Sequence, residues 1–133
     1  MTDLHADIGS NTPVGTLQFT LFIPSVDRDG QQIGQDGWVE QALRTFGALF
    51  RGATAFPPGR GVWRDDDRGG TLVFDDTVMV TSYVDPALVT DTTLAQLRAF
   101  LHCMGRDARQ GEIGIVIDGQ YHGVTEYDQP GGS

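Results

Sequence analysis

Lysine is absent from this chain of 133 residues, and all nine basic side chains are arginine. The absence removes P-loop, Schiff-base and lysine general-base chemistry together. Cysteine occurs once, as Cys103, so neither an internal disulfide nor a two-cysteine zinc or redox site is available. No apolar run approaches the roughly 18 residues of a spanning helix. The N-terminal stretch MTDLHADIGSNTPVG lacks the basic flank and apolar centre of a secretory signal. A cytoplasmic location without a membrane partner is therefore expected. Basic charge is scarce overall: 18 acidic residues leave a net charge of −9 and a pI near 4.4. The summed field opposes nucleic-acid phosphates, and no nucleic-acid partner is expected.

What is present suits one folded domain, with 39% hydrophobic and 20% charged residues. Polar stretches at 1–15 and 128–133 read as loose tails and leave 16–127 as the domain. Residues 16–23, TLQFTLFI, alternate Leu17, Phe19, Leu21 and Ile23 against Gln18, Thr20 and Phe22, the period of a half-buried strand. Asp36 is placed to cap a helix whose Val39, Ala42, Leu43, Phe46, Leu49 and Phe50 share a face, with Gly52 beyond its end. AFPPGRGVWR reads as an edge strand because its two prolines cannot serve a central ladder. DDDRGG turns the chain into a long strand, TLVFDDTVMVTSYV. Asp76 falls in the apolar phase of that strand, which predicts a bulge at Asp75-Asp76 in preference to a buried carboxylate. A second helix, capped by Asp91 or Thr92, carries Leu94, Leu97, Leu101 and Met104 to Gly105. EIGIVID gives another strand, and Asp118-Gly119 signals a hairpin into a short fifth strand.

The order βαββαβ is the split βαβ of a ferredoxin-like α+β domain, an antiparallel sheet with both helices on one face. Gly52-Ala53-Thr54, Gly61-Val62-Trp63 and Gln110-Gly111-Glu112 resemble the Gly-x-Thr, Gly-x-Trp and Gln-x-Glu pattern of an uncharacterised family of small bacterial ferredoxin-like domains. The resemblance spans about half the chain and implies no particular activity.

This topology gathers three connections at one end of the sheet. They carry Asp27, Asp29 and Asp36, then Arg64 to Arg68, then Arg106, Arg109, Gln110 and Glu112, with His102 on the last turn of the second helix. Arg64, Arg106, Arg109 and Gln110 suit a small anionic ligand, because guanidinium forks around carboxylate or phosphate, and Trp63 offers such a ligand an apolar wall. Arg64 and Arg106 are expected to approach a common point with Glu112 or Asp65 between them. Asp65, His102 and Glu112 are the acid–base candidates, although the helical wheel puts His102 at the surface. No cofactor and no metal ligand set are expected, since adjacent carboxylates on a strand end point apart and SVDRDG lacks the first acid of a calcium loop. The competing reading is that these loops are charged because loops are wet.

Helices on one side leave Thr20, Phe22, Val73, Met79, Tyr83, Gly114 and Val116 on the other. That face is too apolar for water and is the expected homodimer interface. These features favour a binding module for a small anionic ligand or a protein partner, self-associating through the open sheet face. A small enzyme acting on a polar or phosphorylated molecule with acid–base or divalent-metal assistance, and an acidic inhibitor or immunity-type protein, are the alternatives.

Overall fold

The computed structural model describes residues 3–12 and 17–130. Thr16, expected to open the first strand, and the end of the expected C-terminal tail lie outside them. Within the N-terminal stretch expected to be loose, Leu4–Asp7 form one helical turn, α1, capped by the Asp3 carboxylate.

The first strand, β1 (Leu17–Ile23), buries Phe19, Leu21 and Ile23 on one face, as its alternation dictates. Helix α2 (Gln35–Phe50) packs Ala42, Phe46 and Phe50 against that face, and the Phe19 and Phe50 rings lie 5.0 Å apart. Its N-cap is Gly34 and not Asp36, and Arg51, with φ of 75°, takes the left-handed closing position expected near Gly52. Pro57 and Pro58 split the expected edge strand into β2 (Thr54–Ala55) and β3 (Gly59–Asp65), since neither can donate to the ladder. β4 (Thr71–Val84) follows a tight turn built on Asp66–Arg68. Thr90 caps α3 (Asp91–Asp107), bonding reciprocally with Thr93, and Leu97, Leu101 and Met104 complete the core. β5 (Ile113–Ile117) and β6 (Gln120–Val124) form the terminal hairpin, with Asp118 and Gly119 both at positive φ.

The sheet order is β2-β4-β1-β5-β6, with neighbours antiparallel, α2 and α3 over its inward face and β6 at one edge. This is the ferredoxin-like α+β arrangement with the fifth strand added. β4 departs from that plan through its length of 14 residues. Val78 to Val84 pair with β1 inside the sheet, whereas Thr71 to Thr77 pair with β3 beyond the end of β1. The second pairing makes a two-stranded arm. Its register runs unbroken from Asp65↔Thr71 through Arg60↔Asp76 to Gly59↔Thr77, so there is no bulge. Leu72, Phe74 and Asp76 keep the phase of Val78 and Val80 but are exposed, because the strand has left the sheet. Asp76 is therefore neither bulged nor buried, and it faces Arg60 at 3.8 Å.

Candidate functional site

Where the arm leaves the sheet, its base, the connection after β1 and the start of α2 enclose a cleft of about 560 Å³. Ser25 ties the two sides together. Its hydroxyl and its amide both donate to Asp75 Oδ1, the amide at 3.0 Å, and its oxygen also lies 3.3 Å from the Asp76 amide. No bond among the described residues engages Asp75 Oδ2. Gln35 Nε2 donates to the carbonyls of Ile23 and Asp76 at 3.1 and 2.8 Å, anchoring the helix to both strands. No side chain caps α2 at Gly34, so the first-turn amides of Asp36 and Gly37, two residues that line the cleft, have no partner among the described residues. On the arm side the Arg60 guanidinium sits 5.1 Å from the centre of the Phe74 ring. Asp36, Asp75 and Asp76 line the cleft against this one arginine, which makes it acidic.

The expected convergence holds for two of the three connections. The turn after α3 grips the connection after β1: Arg109, at φ of 53°, donates to Asp29 at 2.6 Å, and its carbonyl accepts from the Arg28 amide. Buried Gln110 donates to the carbonyls of Val26 and Ala108 at 2.9 and 3.0 Å. In the same connection the Gln31 and Asp29 amides donate to Asp27 and hold its carboxyl below the usual range. SVDRDG is thus a closed polar turn. The hairpin tip stays apart. Arg64 lies opposite Leu72, six positions before Val78, which at strand spacing is ~20 Å beyond the end of β1.

Each candidate at the tip has a local partner. Arg64 Nε donates to Asp66 at 2.6 Å, and Asp65 caps the turn through the Asp67 amide and faces Arg68 at 3.5 Å. Trp63 lies on the arm, 53% exposed. Arg106 donates to the Asp128 carbonyl, not towards Arg64. Asp65, His102 and Glu112 occupy three separate places and form no joint acid–base set.

His102 is buried, contrary to the surface position given by the wheel, because the chain after β6 straps across α3. Its Nδ1 accepts the Asp128 amide at 2.7 Å, and its ring stands perpendicular to that of Tyr127 with the centres 6.0 Å apart. Arg98 grips the Asp128 carboxylate with two bonds, at 2.7 and 3.0 Å, which lowers the carboxyl pKa and raises that of the guanidinium. Asp128 therefore belongs to the packed domain and not to a loose tail. Cys103 lies half-buried beside Asp107, and burial followed by that carboxylate pushes its thiol pKa up, the reverse of an activated nucleophile.

Glu112 lies on the open sheet face, where it accepts from the Tyr121 hydroxyl. The two side chains lie over Gly114 and Gly123. A β-carbon at Gly114 would stand 2.5 Å from the hydroxyl, and one at Gly123 would stand 2.8 Å from the Glu112 carboxyl carbon. Burial, then Glu112, pushes the Tyr121 phenol up to about 12. On the same face Thr20 and Thr81 bond to each other at 3.1 Å and are buried within the chain, Phe22 and Val116 are half-buried, and Met79 and Tyr83 remain exposed.

Ser25, Gln35, Phe74 and Asp75 are the residues that sequence patterns missed. The one signal pointing to them was Asp76, the acid that interrupts the apolar phase of β4 next to Asp75.

No protein-family model and no curated protein matches the chain. Among solved structures it is similar to a phage SAM lyase in complex with S-methyl-5′-thioadenosine, with a TM-score of 0.61 and 17% identity over 89% of this chain and 95% of that one. The apo form of a phage SAM lyase matches with a TM-score of 0.60 and 17% identity over 88% and 94%. At that identity the likeness is one of fold.

Proposed function

We propose that the cleft binds a small polar ligand of the nucleoside class, neutral or positively charged. S-methyl-5′-thioadenosine and S-adenosylmethionine are the first compounds to test. The layout of charge and donors in the cleft carries this reading. Asp75 Oδ2 and Asp76 offer acceptors to a sugar diol, the free amides of Asp36 and Gly37 offer donors, and the Phe74 ring offers a base an apolar face. Three carboxylates against one guanidinium favour a cation such as a sulfonium over an anion. The small anion expected from the arginines is the weaker reading, since Arg64 and Arg109 each face an aspartate and Arg106 a carbonyl. The likeness in fold to a lyase that holds S-methyl-5′-thioadenosine supports the choice of ligand.

Titration calorimetry with both compounds, adenosine, phosphate and a dicarboxylate tests the reading. Binding of the nucleosides, weakened about tenfold or more by Asp75→Asn with the circular dichroism unchanged, is expected from the loss of a charged acceptor. Binding of phosphate without nucleosides overturns it.

The second reading is catalytic, favoured by the lyase name of both neighbours. Asp75, not Asp65, His102 or Glu112, is then the carboxylate placed at the substrate. Chromatography after incubation with S-adenosylmethionine decides it: S-methyl-5′-thioadenosine is released if the chain is a lyase, and the substrate stays intact if it only binds.

A further inference from the structure

Beyond its base, where Ser25 and Gln35 bond to Asp75 and Asp76, the arm made by β3 and the first half of β4 is held by no other element among the described residues. Among the described residues β3 pairs with β4 alone, and no strand pairs with its outer edge. Val62, Trp63, Leu72 and Phe74 are 54, 53, 59 and 54% exposed, on both faces of the ribbon. A two-stranded ribbon standing alone in water is marginal, and a free edge of unpaired N–H and C=O groups is a template for another strand. Prolines blunt only its approach, at Pro57 and Pro58, and β3 itself has none.

We infer that β3 pairs antiparallel with β3 of a second copy of this chain, about a two-fold axis through Trp63, joining two arms into one four-stranded ribbon. Two-fold symmetry across an antiparallel pair sets residues of the same face opposite each other, so the axis must pass through a residue. An axis through Gly61 runs Pro57 and Pro58 into the ladder, which they cannot serve. Through Val62 it sets Arg60 against Arg64 of the second copy, a like-charge pair. An axis through Arg64 opposes Arg60 to Arg68 and shortens the pairing. At Trp63 no like charges oppose each other within the ladder: Val62 lies against the stem of Arg64, the two indoles meet across the axis, and Arg60, just past the paired residues, comes alongside Asp66 of the second copy, which opens the turn after β3 and is shared with Arg64 of its own chain.

About this axis β3 pairs with β3 only from Gly61 to Asp65, which buries less than the ~1,600 Å² of a standard interface, so the dimer is weak. A charge of −9 on each copy opposes the approach at long range, so association strengthens as salt rises from low levels to about 0.15 M.

Sedimentation across about 5 to 500 μM protein is expected to show a monomer–dimer equilibrium. Arg60→Asp and Asp66→Arg each weaken it at least tenfold, and the double exchange restores it. In a Cys103→Ser background, Trp63→Cys cross-links on mild oxidation, whereas Met79→Cys on the open sheet face does not. These positions are exposed, so the variants keep the core, and circular dichroism checks that they fold. A wild-type chain that stays monomeric throughout overturns the inference. So does a dimer indifferent to the charge exchange, or one that cross-links through Met79 alone. The readout is mass and not ligand binding, so failure of the nucleoside reading leaves it standing.

Discussion

The ring of Tyr127 lies against the backbone of Gly105, where any β-carbon would stand 2.1 Å from a ring carbon. Alanine in a helix interior is favoured over glycine by about 1 kcal/mol. Here it expels the ring, whose hydroxyl donates to the Gln110 carbonyl at 2.8 Å, and the lost bond and packing cost about 2 to 3 kcal/mol. Gly105→Ala is therefore expected to destabilise the domain by about 1 to 2 kcal/mol in denaturant unfolding. Adding Tyr127→Ala to it costs little more, since the two positions share one contact.

Tyr121 and Glu112 give an alkaline signature. A phenol pKa raised to about 12 contributes stability that is complete below its ordinary value near 10 and is lost as pH rises between the two. Absorbance titration of the phenols is expected to show Tyr121 ionising last in the wild type and earlier in Glu112→Gln, with the alkaline loss of stability shifted the same way. Gly114→Ala displaces the ring and gives the same earlier ionisation.

At the acid end the Asp128 carboxyl, held low first by Arg98, contributes stability that is present above its ordinary pKa and lost as pH falls through the lowered one. The pair is exposed, so the effect is small. Asp128→Asn is expected to flatten the acid limb of the melting-temperature profile and to leave the neutral value nearly unchanged. His102→Ala behaves differently: it strips the buried acceptor of the Asp128 amide and lowers stability by about 1 to 3 kcal/mol at neutral pH.

Ser25→Ala removes the hydroxyl that joins the base of the arm to the connection after β1. Stability is expected to fall by about 1 kcal/mol. Amide exchange at Asp76 should quicken while exchange at Val80, inside the sheet, stays slow. Equal acceleration at both positions would mean that the arm and the sheet open together.

The strands and long helices were legible because each has a buried side with a regular period. Phe19, Leu21 and Ile23 announce β1, and Leu97, Leu101 and Met104 announce α3. The cleft was not, because Leu72, Phe74 and Asp76 continue the phase of Val78 and Val80, and alternation alone does not mark where a strand leaves its sheet. The setting of His102 was hidden for a related reason. The segment carrying Tyr127 and Asp128 has no periodicity, so nothing in the helical wheel foretells that it covers that side of α3. Connection order correctly joined Arg109 and Gln110 to the loop after β1, but it carries no length, and the length of the arm keeps Arg64 away from Arg106.

Because one strand belongs to both the sheet and the arm, the two regions differ in the changes they tolerate over descent. A single residue inserted between Asp75 and Val78 would flip every side chain on one side of it, either emptying the core of Val78 and Val80 or detaching Asp75 from Ser25. The turn at Asp66–Arg68 carries no such penalty. Relatives of this chain should therefore vary in arm length from the tip inward, by matched trimming or extension of β3 and β4, while the spacing from Asp75 to Val84 stays constant.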